Sequence, residues 1–160
     1  MLHLPINHHL RPLYRTLAGL AGLYVLVFGV MGFTRSRGLA FFAQPHNAHL
    51  PWVLGLRTNP AFSVLSILTG LAIVVAAVVG RNLDHYLFLA AGAVFLLAGM
   101  AMMVLLQTDL NLLGFSMANC VVSFILGLVV FAAGLYGRSG PTEAADDEEA
   151  RRHGEAPARH

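Results

Sequence analysis

Asn59, Ser63, Ser66 and Thr69-Gly70 follow one another at steps of three or four in this 160-residue chain, and Ser116, Asn119-Cys120, Ser123 and Gly127 do the same further on. On a helix that spacing gathers side chains on one face. Hydroxyl and amide groups so gathered have two uses. They hold a small solute or ion, or they hydrogen-bond neighbouring helices at about 0.6 kcal/mol per bond on average. Neither stripe contains an ionisable group, the usual mark of a proton or ion pathway in apolar surroundings. Packing is therefore the preferred reading of Asn59, Ser63, Ser66, Ser116, Asn119 and Ser123. A shallow polar patch for a small ligand is the alternative.

Other chemistry is sparse. His46 and His49 stand with two residues between them, but no Cys or acidic residue completes a metal site beside them. All the histidines (His3, His8, His9, His46, His49, His85, His153 and His160) lie outside the apolar runs, so a haem between helices has no ligand pair. Asp84 and Asp109 are read as loop-edge residues. Cys120 is the only cysteine, which excludes an internal disulfide and a Cys-based metal centre. There is no Ser-His-Asp set, no Walker loop and no zinc spacing. Gly22, Gly29 and Gly32 lie in an apolar run and mark a helix-packing face rather than a phosphate loop. An enzyme is the least supported class, and neither cofactor nor metal is expected.

The elements that carry these residues are four long apolar runs without a charged residue, Thr16–Phe33, Pro60–Gly80, Tyr86–Leu106 and Leu112–Tyr136. Each has about the 20 residues a helix needs to cross a bilayer. A backbone exposed to lipid must satisfy its own hydrogen bonds, so these runs predict helices over 16–33, 60–80, 86–106 and 112–136. The composition agrees, with 57% hydrophobic and 11% charged residues and a mean hydropathy of +0.68. One all-α membrane domain, 16–136, accounts for most of the chain. The pI near 9.1 does not signal nucleic acid, because every basic residue is Arg and most flank helix ends.

Arg11 and Arg15 precede the first run as in a signal peptide. That run is followed by Thr34-Arg35-Ser36-Arg37 and not by a small-residue cleavage site, so an uncleaved first helix is expected. Arg11, Arg15, Arg81, Arg138, Arg151 and Arg152 fall on one side of a four-span topology, against Arg35, Arg37 and Arg57 on the other. The positive-inside rule then places both termini in the cytoplasm, with 1–15 a short cytoplasmic segment. The first loop, Thr34 to Asn59, carries Phe41, Phe42 and Trp52 and is expected on the outer membrane surface. The loops at Arg81–His85 and Gln107–Asn111 are short, so consecutive helices are antiparallel neighbours. Residues 137–160 are polar and charged and predict a disordered cytoplasmic tail.

The second and fourth runs echo each other. Phe62–Arg81 set against Asn119–Arg138 pairs Val64 with Val121, Ser66 with Ser123, Gly70 with Gly127, Ala76 with Ala133 and Gly80-Arg81 with Gly137-Arg138. A fainter pattern links Ala21-Gly22, Leu26 and Gly29 with Ala91-Gly92, Leu96 and Gly99. Two hairpins in the same orientation, related by a pseudo-twofold along the membrane normal, are expected. In such a bundle the two polar stripes face each other across the axis. The function expected is that of a non-enzymatic structural or accessory membrane protein acting through helix packing. The alternative is a small transporter or channel component using the patch. The partners expected are the lipid bilayer and a second copy or larger membrane complex, with no nucleic acid.

Thr108-Asp109-Leu110-Asn111-Leu112-Leu113, Phe115-Ser116-Met117-Ala118-Asn119, Val121-Val122-Ser123-Phe124, Gly127-Leu128 and Tyr136-Gly137-Arg138 resemble a family of small actinobacterial membrane proteins, domain of unknown function 4383. Leu13-Tyr14-Arg15, Phe28-Gly29-Val30-Met31-Gly32 and Leu56-Arg57-Thr58-Asn59 share the resemblance, which spans 11–138. It implies a four-helix bacterial plasma-membrane protein with no assigned activity.

Overall fold

The computed structural model describes residues 10–137. Part of the expected N-terminal segment (1–9) and all but the first residue of the expected tail (138–160) lie outside the described residues. The described chain folds as α1 (Arg11–Arg35), a two-stranded antiparallel hairpin of β1 (Trp52–Val53) and β2 (Leu56–Arg57), then α2 (Pro60–Val79), α3 (Leu83–Leu105) and α4 (Met117–Leu135). All four helices are long and apolar enough to cross a membrane.

The helix ends follow local chemistry. Proline stands in the first turn of α1 and of α2, where the missing N–H has no helical partner to lose. Asn59 caps α2 by accepting from Phe62 N at 2.8 Å. Ser116 and Asn119 form a capping box at α4. That box starts the fourth helix at Met117, not at residue 112. Residues 106–116 instead make a string of turns, with Gly114 at φ +64°. The third loop is thus longer than the expected 107–111. The loop between α2 and α3 is shorter than expected: Gly80, Arg81 and Asn82 all take positive φ and reverse the chain at once. Helix α3 therefore begins at Leu83 rather than 86, and α1 extends beyond 16–33 at both ends.

Around the bundle the order is α1, α2, α3, α4, each helix touching its two neighbours in a closed ring. Helices α2 and α4 stand on a diagonal. The closest packing is inside each hairpin, where glycines let backbones meet. A Cβ placed on Gly70 would lie 2.5 Å from Leu26 N, and one on Gly127 would lie 3.1 Å from Leu96 N. One on Gly29 would meet Ser63 O at 2.8 Å, and one on Gly99 would meet Cys120 O at 3.4 Å. These contacts pair the same positions that the internal echo pairs, so the two hairpins repeat in contact as well as in sequence.

The helix ends bearing Arg11, Gly80 and Tyr136 form the terminus end of the bundle, and the opposite end is the loop end. At the loop end the β-hairpin turns at Leu54-Gly55, both at positive φ, and lowers Val53 and Leu56 onto Phe28. Its outer side keeps Trp52 exposed, with the Arg57 guanidinium carbon 5.3 Å from the indole centroid.

Candidate functional site

The six stripe residues divide into three roles. Asn59 and Ser116 are helix caps. Besides capping α2, Asn59 donates through Nδ2 to Ala43 O at 2.8 Å and Leu112 O at 2.9 Å, joining the first loop to the third. Ser63 turns toward α1: its hydroxyl bonds Asn59 O and lies 2.9 Å from the Thr58 hydroxyl, beside Gly32. Ser66, Asn119 and Ser123 come together as walls of one cavity.

Asn119 is the most heavily used of them. Its side-chain oxygen accepts from Arg57 N at 3.1 Å, Ser116 N at 3.2 Å and the Ser116 hydroxyl at 2.6 Å. Its Nδ2 donates to Arg57 O at 2.8 Å. One amide thus matches both backbone groups of Arg57, as a strand partner would, and fastens β2 to α4. The Ser66 hydroxyl bonds Phe62 O on its own helix at 2.7 Å, and the Ser123 hydroxyl bonds Phe95 O on α3 at 2.7 Å. The two hydroxyl protons and the Asn119 side-chain oxygen are thus engaged, which leaves few hydrogen-bond donors for a polar ligand.

The cavity itself measures about 80 Å³ and lies between all four helices toward the loop end. Phe28, Phe62, Phe95, Leu113 and Phe115 supply much of its wall. It is an apolar chamber edged with satisfied hydroxyl and amide groups, not a polar pocket.

A second polar cluster, at the terminus end, escapes the sequence reading. Asp84 and His85 are not loop-edge residues; they occupy the first turn of α3 and are buried, Asp84 completely. Arg11 Nη2 donates to Asp84 Oδ2 at 3.1 Å, spanning from α1 to α3. His85 Nδ1 lies 2.7 Å from Gly134 O, so it carries the proton and donates to the last turn of α4. Arg15 plays the equivalent part in the other hairpin, its Nε bonding Ala77 O and its Nη2 bonding Val78 O at the end of α2. Cationic or N–H donors at those carbonyls answer both the unpaired groups and the helix dipole. The signal that marks this cluster is an Asp in the first turn of a helix, visible only once α3 is known to start at Leu83. By contrast, Asp109 stays exposed in the third loop, 3.9 Å from His46. Among the described residues no group of three or more His, Cys, Asp or Glu is placed to hold a metal ion.

Four closely packed helices of membrane-spanning length and apolarity define a multi-pass integral membrane protein. Within that class the chain belongs to the family described as domain of unknown function 4383, whose profile matches residues 15–136. No curated protein and no solved structure matches it.

Proposed function

We propose that the protein is a non-enzymatic accessory subunit of a bacterial plasma membrane, of actinobacterial origin, with both termini in the cytoplasm. It acts through helix packing, with a second copy or within a larger membrane complex. The observation that carries this reading is the use made of the polar residues in the spans. Asn59, Ser63, Ser66, Ser116, Asn119 and Ser123 all bond within the fold. The glycines of the helices likewise make their close contacts inside the hairpins. What remains outward is a rigid apolar surface, with Leu68, Val78, Val104 and Leu128 among its exposed residues. Orientation rests on the sequence placing Arg11, Arg15, Arg81, Arg138, Arg151 and Arg152 on one side of the four spans against Arg35, Arg37 and Arg57 on the other.

Gentle extraction from native membranes tests the proposal. A reproducible stoichiometric partner, or a defined oligomer, is the expected result; a lone monomer in mild detergent and in native lipid overturns it.

A second reading, a small transporter or channel component, is favoured by Ser66, Asn119 and Ser123 lining one cavity near the axis. Asn119→Leu separates the two. The accessory reading expects lower stability or assembly, and the transport reading expects flux or ligand binding to vanish at an unchanged folded amount.

A further inference from the structure

We propose that the cavity receives the end of a lipid acyl chain, which enters sideways from the bilayer between α2 and α3. This goes beyond the accessory role and does not depend on it.

The position of the cavity follows from how the hairpins meet. Inside each hairpin, glycines bring backbones into contact. Among the glycines of the described helices no close approach joins one hairpin to the other, and the side chains of Phe28, Phe62, Phe95 and Leu126 line the space between them. The void lies along that looser seam. At the loop end it is roofed by Leu56 and Phe115, which are 5% and 4% exposed, so water from that side is shut out.

Two of the lining residues are also open to the surroundings, Leu65 of α2 at 48% and Val94 of α3 at 61%. They stand on neighbouring helices of the ring and mark the mouth. At the helical rise per residue, Leu65 lies about 8 Å and Val94 about 16 Å below the loop-end tips of their helices. In a hydrocarbon layer about 30 Å thick, acyl chains are what such a mouth faces at that depth.

The wall selects the same occupant. The Tyr24, Ser66 and Ser123 hydroxyls and one N–H of the Asn119 amide donate to backbone carbonyls. What faces inward is mainly carbon, and a dry apolar cavity accepts apolar guests. Because lipid is as apolar as the wall, the gain comes from dispersion contacts that fill the void rather than from escape from water. Occupancy therefore relies on the high local concentration of chains, and a slender unbranched methylene chain suits the space.

The test uses the full chain in phosphatidylcholine vesicles containing a phosphatidylcholine with a diazirine near the end of one acyl chain. After irradiation, adducts are mapped by mass spectrometry. The expected result is labelling of Val25, Phe28 and Ser123, which are buried and do not touch bulk lipid. Ala98→Phe fills the chamber from its α3 wall and should abolish those adducts while leaving labelling of exposed Leu68 and Leu97 intact. Thr69→Phe, from the α2 wall, serves if Ala98→Phe does not fold. Labelling confined to Leu68, Leu97 and similar outer positions overturns the proposal, as does buried labelling that persists in a folded filled variant. A free diazirine-bearing alkane runs in parallel. If it labels the buried residues and the phospholipid does not, the guest is a small apolar solute and the lipid assignment falls.

Discussion

Gly70→Ala should destabilise the protein even though alanine is the better helix former. A Cβ there would lie 2.5 Å from Leu26 N and 2.8 Å from both Leu26 Cα and Gly22 O. All three are backbone atoms, so no side chain can swing away. Restoring ordinary contact near 3.5 Å requires α1 to retreat by about 1 Å, which loosens the contacts above and below. Overpacking of this kind costs about 1–3 kcal/mol. Replacing a mid-helix glycine recovers about 1 kcal/mol. The net loss is up to about 2 kcal/mol, roughly a fivefold fall in the folded-to-unfolded ratio at the middle of that range. Gly99→Ala is the internal control, because its nearest heavy atom lies at 3.3 Å and the next at 3.4 Å, close to ordinary contact. It should be neutral or stabilising by up to about 1 kcal/mol. Gly92→Ala, whose Cβ would meet Phe131 N at 2.5 Å, should behave like Gly70→Ala. Reversible denaturant unfolding in lipid–detergent micelles measures all three. If Gly99→Ala costs as much as Gly70→Ala, or if Gly70→Ala is no less stable than the parent, close backbone packing is not what holds the hairpins.

Asp84→Asn should cost about 2 kcal/mol or more by leaving Arg11 without its carboxylate, whereas the double change Arg11→Met with Asp84→Leu should come close to the parent; the same unfolding assay compares them. Asn119→Leu strands both backbone groups of Arg57 and should cost about 2 kcal/mol or more, with faster proteolysis of the first loop as a second readout. Arg15→Leu removes the donors to Ala77 O and Val78 O and should cost about 1 kcal/mol, and Arg15→Lys should recover part of it; hydrogen exchange in the last turn of α2 would show the difference locally.

The spans are legible because apolar length is a long-range property that single residues do not disturb. Their ends are less so. Residues 112–116 are as apolar as a helix, yet the Ser116–Asn119 box and the positive φ of Gly114 delay α4 until Met117. The terminus end shows the opposite bias. Asp84 and His85 look like loop residues in a hydropathy reading, because their burial depends on Arg11 and Gly134, far away in sequence. Three members of the polar stripes, Ser66, Asn119 and Ser123, share a chamber. What spacing cannot reveal is that their hydrogen-bonding groups are aimed at backbone: Asn119 meets Arg57 only because a short hairpin, with no alternating pattern to announce it, brings that residue over the bundle.

The close contacts of the helix glycines operate within each repeat, while several of the polar contacts run between repeats. Arg11 reaches from the first hairpin to Asp84 of the second at one end. At the other end Asn59 reaches Leu112, Gln44 reaches Asp109, and Asn119 holds Arg57. Between these two latches lies the cavity. The halves should therefore hold their own shape and part from each other first. Cutting a protease site engineered into the turn at residues 80–82 should leave two hairpins associated in mild detergent. Adding Asn119→Leu and Asp84→Asn together should let them separate, while helix content stays near that of the intact chain. Adding Gly70→Ala should instead lower helix content or expose the first hairpin to protease without first releasing the second. Separation caused equally by either kind of change would mean that the division between backbone packing within the repeats and polar latching between them is wrong.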